Sequence, residues 1–133
     1  VFYPFDFHPA CTDQWCSLRD ADWLTVLDDV VVLGVGADGV YAHGEYALQH
    51  DIGFTLLSDT DGRVARAYGV LADEFENHRG VPERATFVID PDRVVRFAWS
   101  ADGPEDQPDM DALQEAASHR DGEHAVEGAD GSV

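Results

Sequence analysis

Lysine is absent from this 133-residue chain, whose 8 basic residues are all arginine and face 27 Asp and Glu, for a formal net charge of -19. Nucleic acid and anionic membrane surfaces are bound through an excess of Lys and Arg, so neither is expected as a partner. No apolar run reaches the length of a transmembrane helix and nothing resembles a secretory leader, which makes the cytosol the expected location. Cysteine is scarce: Cys11 and Cys16 are the only two. A pair so close together in a reducing compartment reads as catalytic or metal-binding before it reads as a structural staple. Internal repeats and a glycine-rich phosphate loop are missing too, since Gly34, Gly36 and Gly39 do not have the dinucleotide spacing.

What is present is an ordinary core. With 44% hydrophobic residues the chain is sized for one domain, expected over residues 1–119, followed by a Gly- and acid-rich tail over 120–133 that is expected to be disordered. His119 and His124 at and in that tail carry no recognisable site. The acidic residues are spread along the chain, as in proteins adapted to high salt. Their mutual repulsion extends about 30 Å at 0.01 M salt and about 3 Å at 1 M, so the fold is expected to loosen in dilute buffer.

Residues 1–3 read as the end of a buried strand, and Pro4, Asp6 and Pro9 make the following stretch a loop. From 11 to about 27, Trp15, Leu18, Trp23, Leu24 and Leu27 fall at helical spacing. The β-branched run 30–35 predicts a strand buried on both faces, and Asp38 predicts the cap of a helix through His50. A short strand over 54–57 precedes a helix around 64–68, with Ser58, Asp59 and Asp61 as caps. After a polar loop over 73–82, the runs 85–89 and 94–99 flank Asp90, Pro91, Asp92 and Arg93 as an antiparallel hairpin. A last helix spans 109–118, with Met110, Leu113 and Ala117 on one face. This order predicts an α/β fold: a mixed sheet with helices on both faces, compatible with a thioredoxin-like architecture.

The chemistry points to Cys11, at the start of a helix, where unpaired backbone N–H groups and the helix dipole favour a thiolate. An unperturbed thiol is only about 3% ionised at pH 7, and lowering its pKa to about 6 takes roughly 3.4 kcal/mol. A helix end supplies at most about 2 kcal/mol, so a cation is needed as well. Arg84, at the entrance to the strand over 85–89, is the candidate; a salt bridge to one of the many carboxylates is its alternative role. Cys16 stands five positions on. In an intact helix its Cα lies about 8.6 Å from that of Cys11 and about 140° around the axis. A disulfide needs less than about 7 Å, so a bond between them requires the first turns to unwind.

The segments FYP and PACTDQWCSLRD, then VVLGV, FTLLSDTDGRVARAYGV and RATFVIDPDRVVRFAW, resemble a peroxiredoxin of the bacterioferritin comigratory protein (PrxQ-like) subgroup, close to members from halophilic archaea. The resemblance runs from residue 1 to about 113. It implies a thioredoxin-like fold and thiol-dependent reduction of hydrogen peroxide or organic hydroperoxides, with no metal, haem or flavin. By position, it implies that Cys11 is the peroxidatic cysteine, Cys16 the resolving cysteine, Pro4 the loop proline shielding the sulfur, and Arg84 the arginine that activates thiolate and peroxide. A thioredoxin-like protein is the implied reductant, and the chain is expected to be a monomer or homodimer.

Two departures stand out. The family carries Thr or Ser where this chain has His8, whose imidazole either donates to an oxygen, stabilises the thiolate, crowds the pocket or turns outward. The family's N-terminal hairpin, first helix and most of its first strand have no counterpart, which reads as a fragment of a longer product and predicts exposed apolar surface. These departures keep a second class open: a non-catalytic redox sensor or binding module in which Cys11 and Cys16 oxidise slowly. A metal site of His8, Cys11 and Cys16 is the third reading, disfavoured because the spacing is not a zinc pattern.

Overall fold

The computed structural model describes residues 1–27, 29–103 and 106–118; the expected acidic tail lies outside the described residues. Five strands form one mixed sheet in the order β3-β2-β1-β4-β5. They are β1 (Phe2–Tyr3), β2 (Leu33–Gly36), β3 (Thr55–Ser58), β4 (Ala85–Ile89) and β5 (Val95–Ser100), interleaved with helices α1 (Pro9–Arg19), α2 (Asp22–Thr25), α3 (Val40–His50), α4 (Arg63–Ala67) and α5 (Met110–Ser118). Helical crossovers make β1, β2 and β3 parallel neighbours, and β4 runs antiparallel to both β1 and β5.

Alternation along β1 divides the core. Tyr3 packs on one face with Cys11, Trp15 and Leu18 of α1, Tyr46 of α3 and Leu113 of α5. Phe2 faces the other way, onto Ala65 of α4, Val70 and Ala85. Helices therefore cover both faces, as the thioredoxin-like reading requires. Gly34 is needed at the crossing of α1 and β2: a Cβ there would lie 2.5 Å from a ring carbon of Trp15.

The elements differ from the sequence expectations in four places. Helix 11–27 is two helices, and it starts at Pro9. Asp20 closes α1 by donating its N–H to the carbonyls of Cys16 and Leu18, and the extended backbone of Ala21 turns the chain before α2. The strand expected over 30–35 begins only at Leu33 and is not buried on both faces, since Val31 is 79% exposed. Asp38 does not cap α3, whose N-cap is Gly39; its carboxylate instead accepts from the N–H of Asp6 at 2.7 Å. Before α4, Asp59 and Asp61 accept from the N–H groups of Val64, Ala65 and Arg63 as expected, while Ser58 ends β3.

The hairpin between β4 and β5 is pinned by Asp90, which accepts from Asp92 N and Val94 N and pairs with Arg96 at 2.7 Å. Within the polar loop, Phe75 and His78 exchange both backbone hydrogen bonds around Glu76 and Asn77, each at positive φ (49° and 68°). That is the primed turn of a two-residue hairpin, and it swings the loop over the start of α1. An apolar recess of about 330 Å³, lined among others by Leu18, Leu24, Val32, Val88 and Leu113, opens on the face of α1 and α5.

Candidate active site

The loop from Pro4 to His8 leads from β1 into α1, and its residues decide how the helix begins. Pro9 takes the first helical position, where its missing N–H costs nothing. His8 is the N-cap: its Nδ1 accepts from Ala10 N at 3.2 Å, and its carbonyl accepts from Thr12 N at 2.9 Å. Cys11 thus sits in the first turn, and it is fully buried. Pro4, at the end of β1, is fully buried as well.

Burial pushes the Cys11 thiol up to about 11, against the lowering effects of a hydrogen bond from the Phe5 backbone and the positive charge of Arg84; the carboxylates of Asp6 and Glu76 add to the rise. The helix terminus is where the sequence placed it, yet desolvation of the anion is the larger effect in this closed arrangement. Arg84 is 2% exposed, which sets aside its reading as a solvated surface ion pair. Its Nη2 donates to Gln14 Oε1 at 2.9 Å and its Nη1 to the Asp106 carbonyl at 2.7 Å, and the guanidinium lies 5.6 Å from the centre of the Trp99 ring. Gln14 is held in turn by donating to Thr86 Oγ1 at 3.0 Å. Burial draws the Arg84 pKa below its ordinary value.

His8 faces the overhanging loop. With Nδ1 accepting from Ala10, the ring proton lies on Nε2, which donates to Glu76 Oε2 at 3.1 Å. Both nitrogens are thereby occupied, and the ring packs against Phe75. Of the roles open to His8 in the sequence, the structure supports a cap turned toward Glu76.

Both cysteines are free thiols on one unbroken helix, with Cys16 half-buried. Tyr46 lies near both, since charge on either would raise its own pKa. Its hydroxyl and that of Thr12 share a hydrogen bond of 2.8 Å. Among the described residues no group of three or more His, Cys, Asp or Glu side chains is disposed to hold a metal ion, and no helix is long and apolar enough to cross a membrane.

Cys11, Pro4, His8 and Arg84 therefore gather at the junction of β1, α1 and β4, with Cys16 one and a half turns along. Sequence reasoning missed Gln14, which orients Arg84, and Glu76, which engages His8. It also missed a buried group of Tyr3, Asp6 and His43 behind the loop. Gln14 stands three residues after Cys11, on the same face of the helix, which is the only local signal for it.

Comparison with known proteins fits this arrangement. The model of the AhpC/TSA family matches residues 1–98. A Coxiella burnetii protein that carries the name peroxiredoxin bcp is 40% identical over 101 residues, covering 74% of this chain and 66% of its own length. Peroxiredoxin Q of rice chloroplasts (Oryza sativa subsp. japonica) is 35% identical over 99 residues, covering 74% of this chain and 44% of its own. Among solved structures, peroxidoxin BcpB of Mycobacterium tuberculosis superposes with a TM-score of 0.70 at 28% identity, over 88% of this chain and 73% of that one. The chain thus spans from under half to about two thirds of the length of these curated relatives.

Proposed function

Because the chain belongs to the AhpC/TSA family, we propose that it reduces hydrogen peroxide or organic hydroperoxides through Cys11. The observation that carries this reading is a buried thiol in the first turn of a helix, acted on by the equally buried guanidinium of Arg84. The Cys11 sulfur attacks the terminal peroxide oxygen, the O–O bond breaks, and the thiol proton leaves with the departing oxygen as water or alcohol. The product on the protein is a sulfenic acid. The Cys16 thiol then displaces its hydroxyl as water to form a disulfide, which a thioredoxin-like dithiol reduces.

Arg84 is the cation that stabilises both the thiolate and the developing negative oxygen, with Gln14 and the Asp106 carbonyl fixing its plane. Pro4 contributes no N–H to compete for the sulfur and helps close the pocket to water. His8 caps the helix, and through Glu76 it holds the overhanging loop in place. No bound metal or organic cofactor takes part. Monomer and homodimer are both compatible with this chemistry.

The test is stopped-flow tryptophan fluorescence of the reduced protein in molar KCl on mixing with hydrogen peroxide, followed by mass analysis. Fast oxidation ending in a Cys11–Cys16 disulfide, slowed in Arg84→Ala, is the expected result. Oxidation no faster than that of a free thiol, and indifferent to Arg84, assigns the chain to the slow redox sensors instead.

A further inference from the structure

The carboxylate of Asp6 is buried against the imidazole of His43, with side-chain exposures of 1% and 4%. His43 Nδ1 lies 2.8 Å from Asp6 Oδ2 and 3.0 Å from Oδ1, while the Tyr3 hydroxyl donates to Oδ1 at 2.7 Å. On the far side of the ring, Nε2 lies 3.1 Å from the Leu57 carbonyl of β3. A carbonyl only accepts, so Nε2 carries a proton. The Tyr3 hydroxyl, 3.2 Å from Nδ1, has one proton and gives it to Oδ1, so the 2.8 Å contact between Nδ1 and the carboxylate holds only if a second proton lies between them, on one or the other. Without it, a buried carboxylate would face a nitrogen lone pair, an arrangement that burial penalises heavily.

The position of this pair links it to Cys11. Asp6 belongs to the loop between β1 and α1, and its own N–H donates to Asp38 Oδ2 just ahead of α3. The loop is therefore fastened to α3 by main chain and side chain at one residue. Its neighbour Phe5 supplies the backbone hydrogen bond to the Cys11 thiol, and the charge of Asp6 acts on that thiol unfavourably.

We propose that Asp6 and His43 are positioning residues for the chemistry of Cys11, sharing one proton that both fastens the loop bearing the Phe5 N–H and cancels the Asp6 charge beside the sulfur. This rests on Cys11 as the reacting thiol. The titratable groups facing the pair are Tyr3 from β1, Asp38 ahead of α3, Tyr46 of α3 and Cys11 of α1. None of these is a cation, so His43 is the source of the compensating proton among them.

His43→Gln leaves Asp6 charged and uncompensated. In the reduced Cys16→Ser protein, ultraviolet thiolate absorbance should show the Cys11 titration moved up by about one pH unit, and oxidation by hydrogen peroxide at fixed pH should slow about tenfold. The double variant Asp6→Asn/His43→Gln, with two neutral amides, should recover most of both losses. An unmoved titration in the single variant overturns the proposal. So does a double variant as impaired as the single one, because that is the pattern of a merely structural contact. Nitrogen-15 NMR of the unaltered protein decides independently of how the variants fold: Nε2 protonated and Nδ1 sharing a proton at neutral pH supports the assignment, and a bare Nε2 overturns it. Neither the titration nor the NMR requires turnover, so a chain that failed to consume peroxide would refute the proposed activity while leaving these readouts standing.

Discussion

At Cys11, burial and the helix N-terminus act in opposite directions on one sulfur. Burial prevails, and the thiol is held up at about 11 from 9.0. A protein whose folded thiol keeps its proton longer than the unfolded one loses stability as pH rises, because the unfolded chain ionises first. The loss begins near pH 9, below which the neutral thiol is common to both states, and is complete near 11. Between pH 9 and 10 this thiol alone should lower the unfolding free energy from urea titration by about 1 kcal/mol, to which the buried Tyr3 and Tyr46, ordinarily titrating at 10.0, add a loss of the same sign. Cys11→Ser should remove that part of the slope. At His8 the side chain solves a local problem, the cap of α1, and both its nitrogens are taken up in doing so.

Among the elements, α1 carries both cysteines and must partly unwind before they can meet. What resists at its first turn is visible: Thr12, next to Cys11, is tied to the buried Tyr46 of α3 through their hydroxyls. Tyr46→Phe removes that tie and leaves the ring packing. A hydrogen bond of about 1 kcal/mol corresponds to about fivefold in an opening equilibrium. The Cys11–Cys16 disulfide, followed by mass analysis after a pulse of peroxide, should form about that much faster; an unchanged rate would place the resisting contact elsewhere. The far end of the helix is better secured, since Arg19 pairs with Asp20 and donates to the His50 carbonyl at 2.7 Å. The first turn is accordingly the part to yield.

The chain carries a charge of -19, and among the described residues few ion pairs offset it, several of them exposed, such as Arg63 with Asp61. Exposed pairs contribute little, so repulsion among the carboxylates dominates the long-range electrostatics. Raising KCl from 0.01 to 1 M shortens the range of that repulsion about tenfold. The melting temperature should rise across the series by roughly 5 °C for each kcal/mol of repulsion relieved. A midpoint independent of KCl would remove adaptation to salt as the meaning of the composition. The exposed apolar residues Val31 and Leu33 line the recess on the α1 face and add hydrophobic surface to the molecule.

The sequence by itself determined the alternation of elements, the β4–β5 hairpin and the place of Cys11 in a helical first turn, because periodicity, turn residues and caps act within a few positions along the chain. It also carried Arg84 as the candidate cation, through its resemblance to a known family. Only the tertiary structure decided that Asp38 serves Asp6 and not a helix, that Gln14 holds Arg84, and that Asp6 meets His43. Each of those depends on groups some thirty to seventy residues apart being brought out of water together, and the strength of a charge or a hydrogen bond is set by that burial, which no local pattern of residues records.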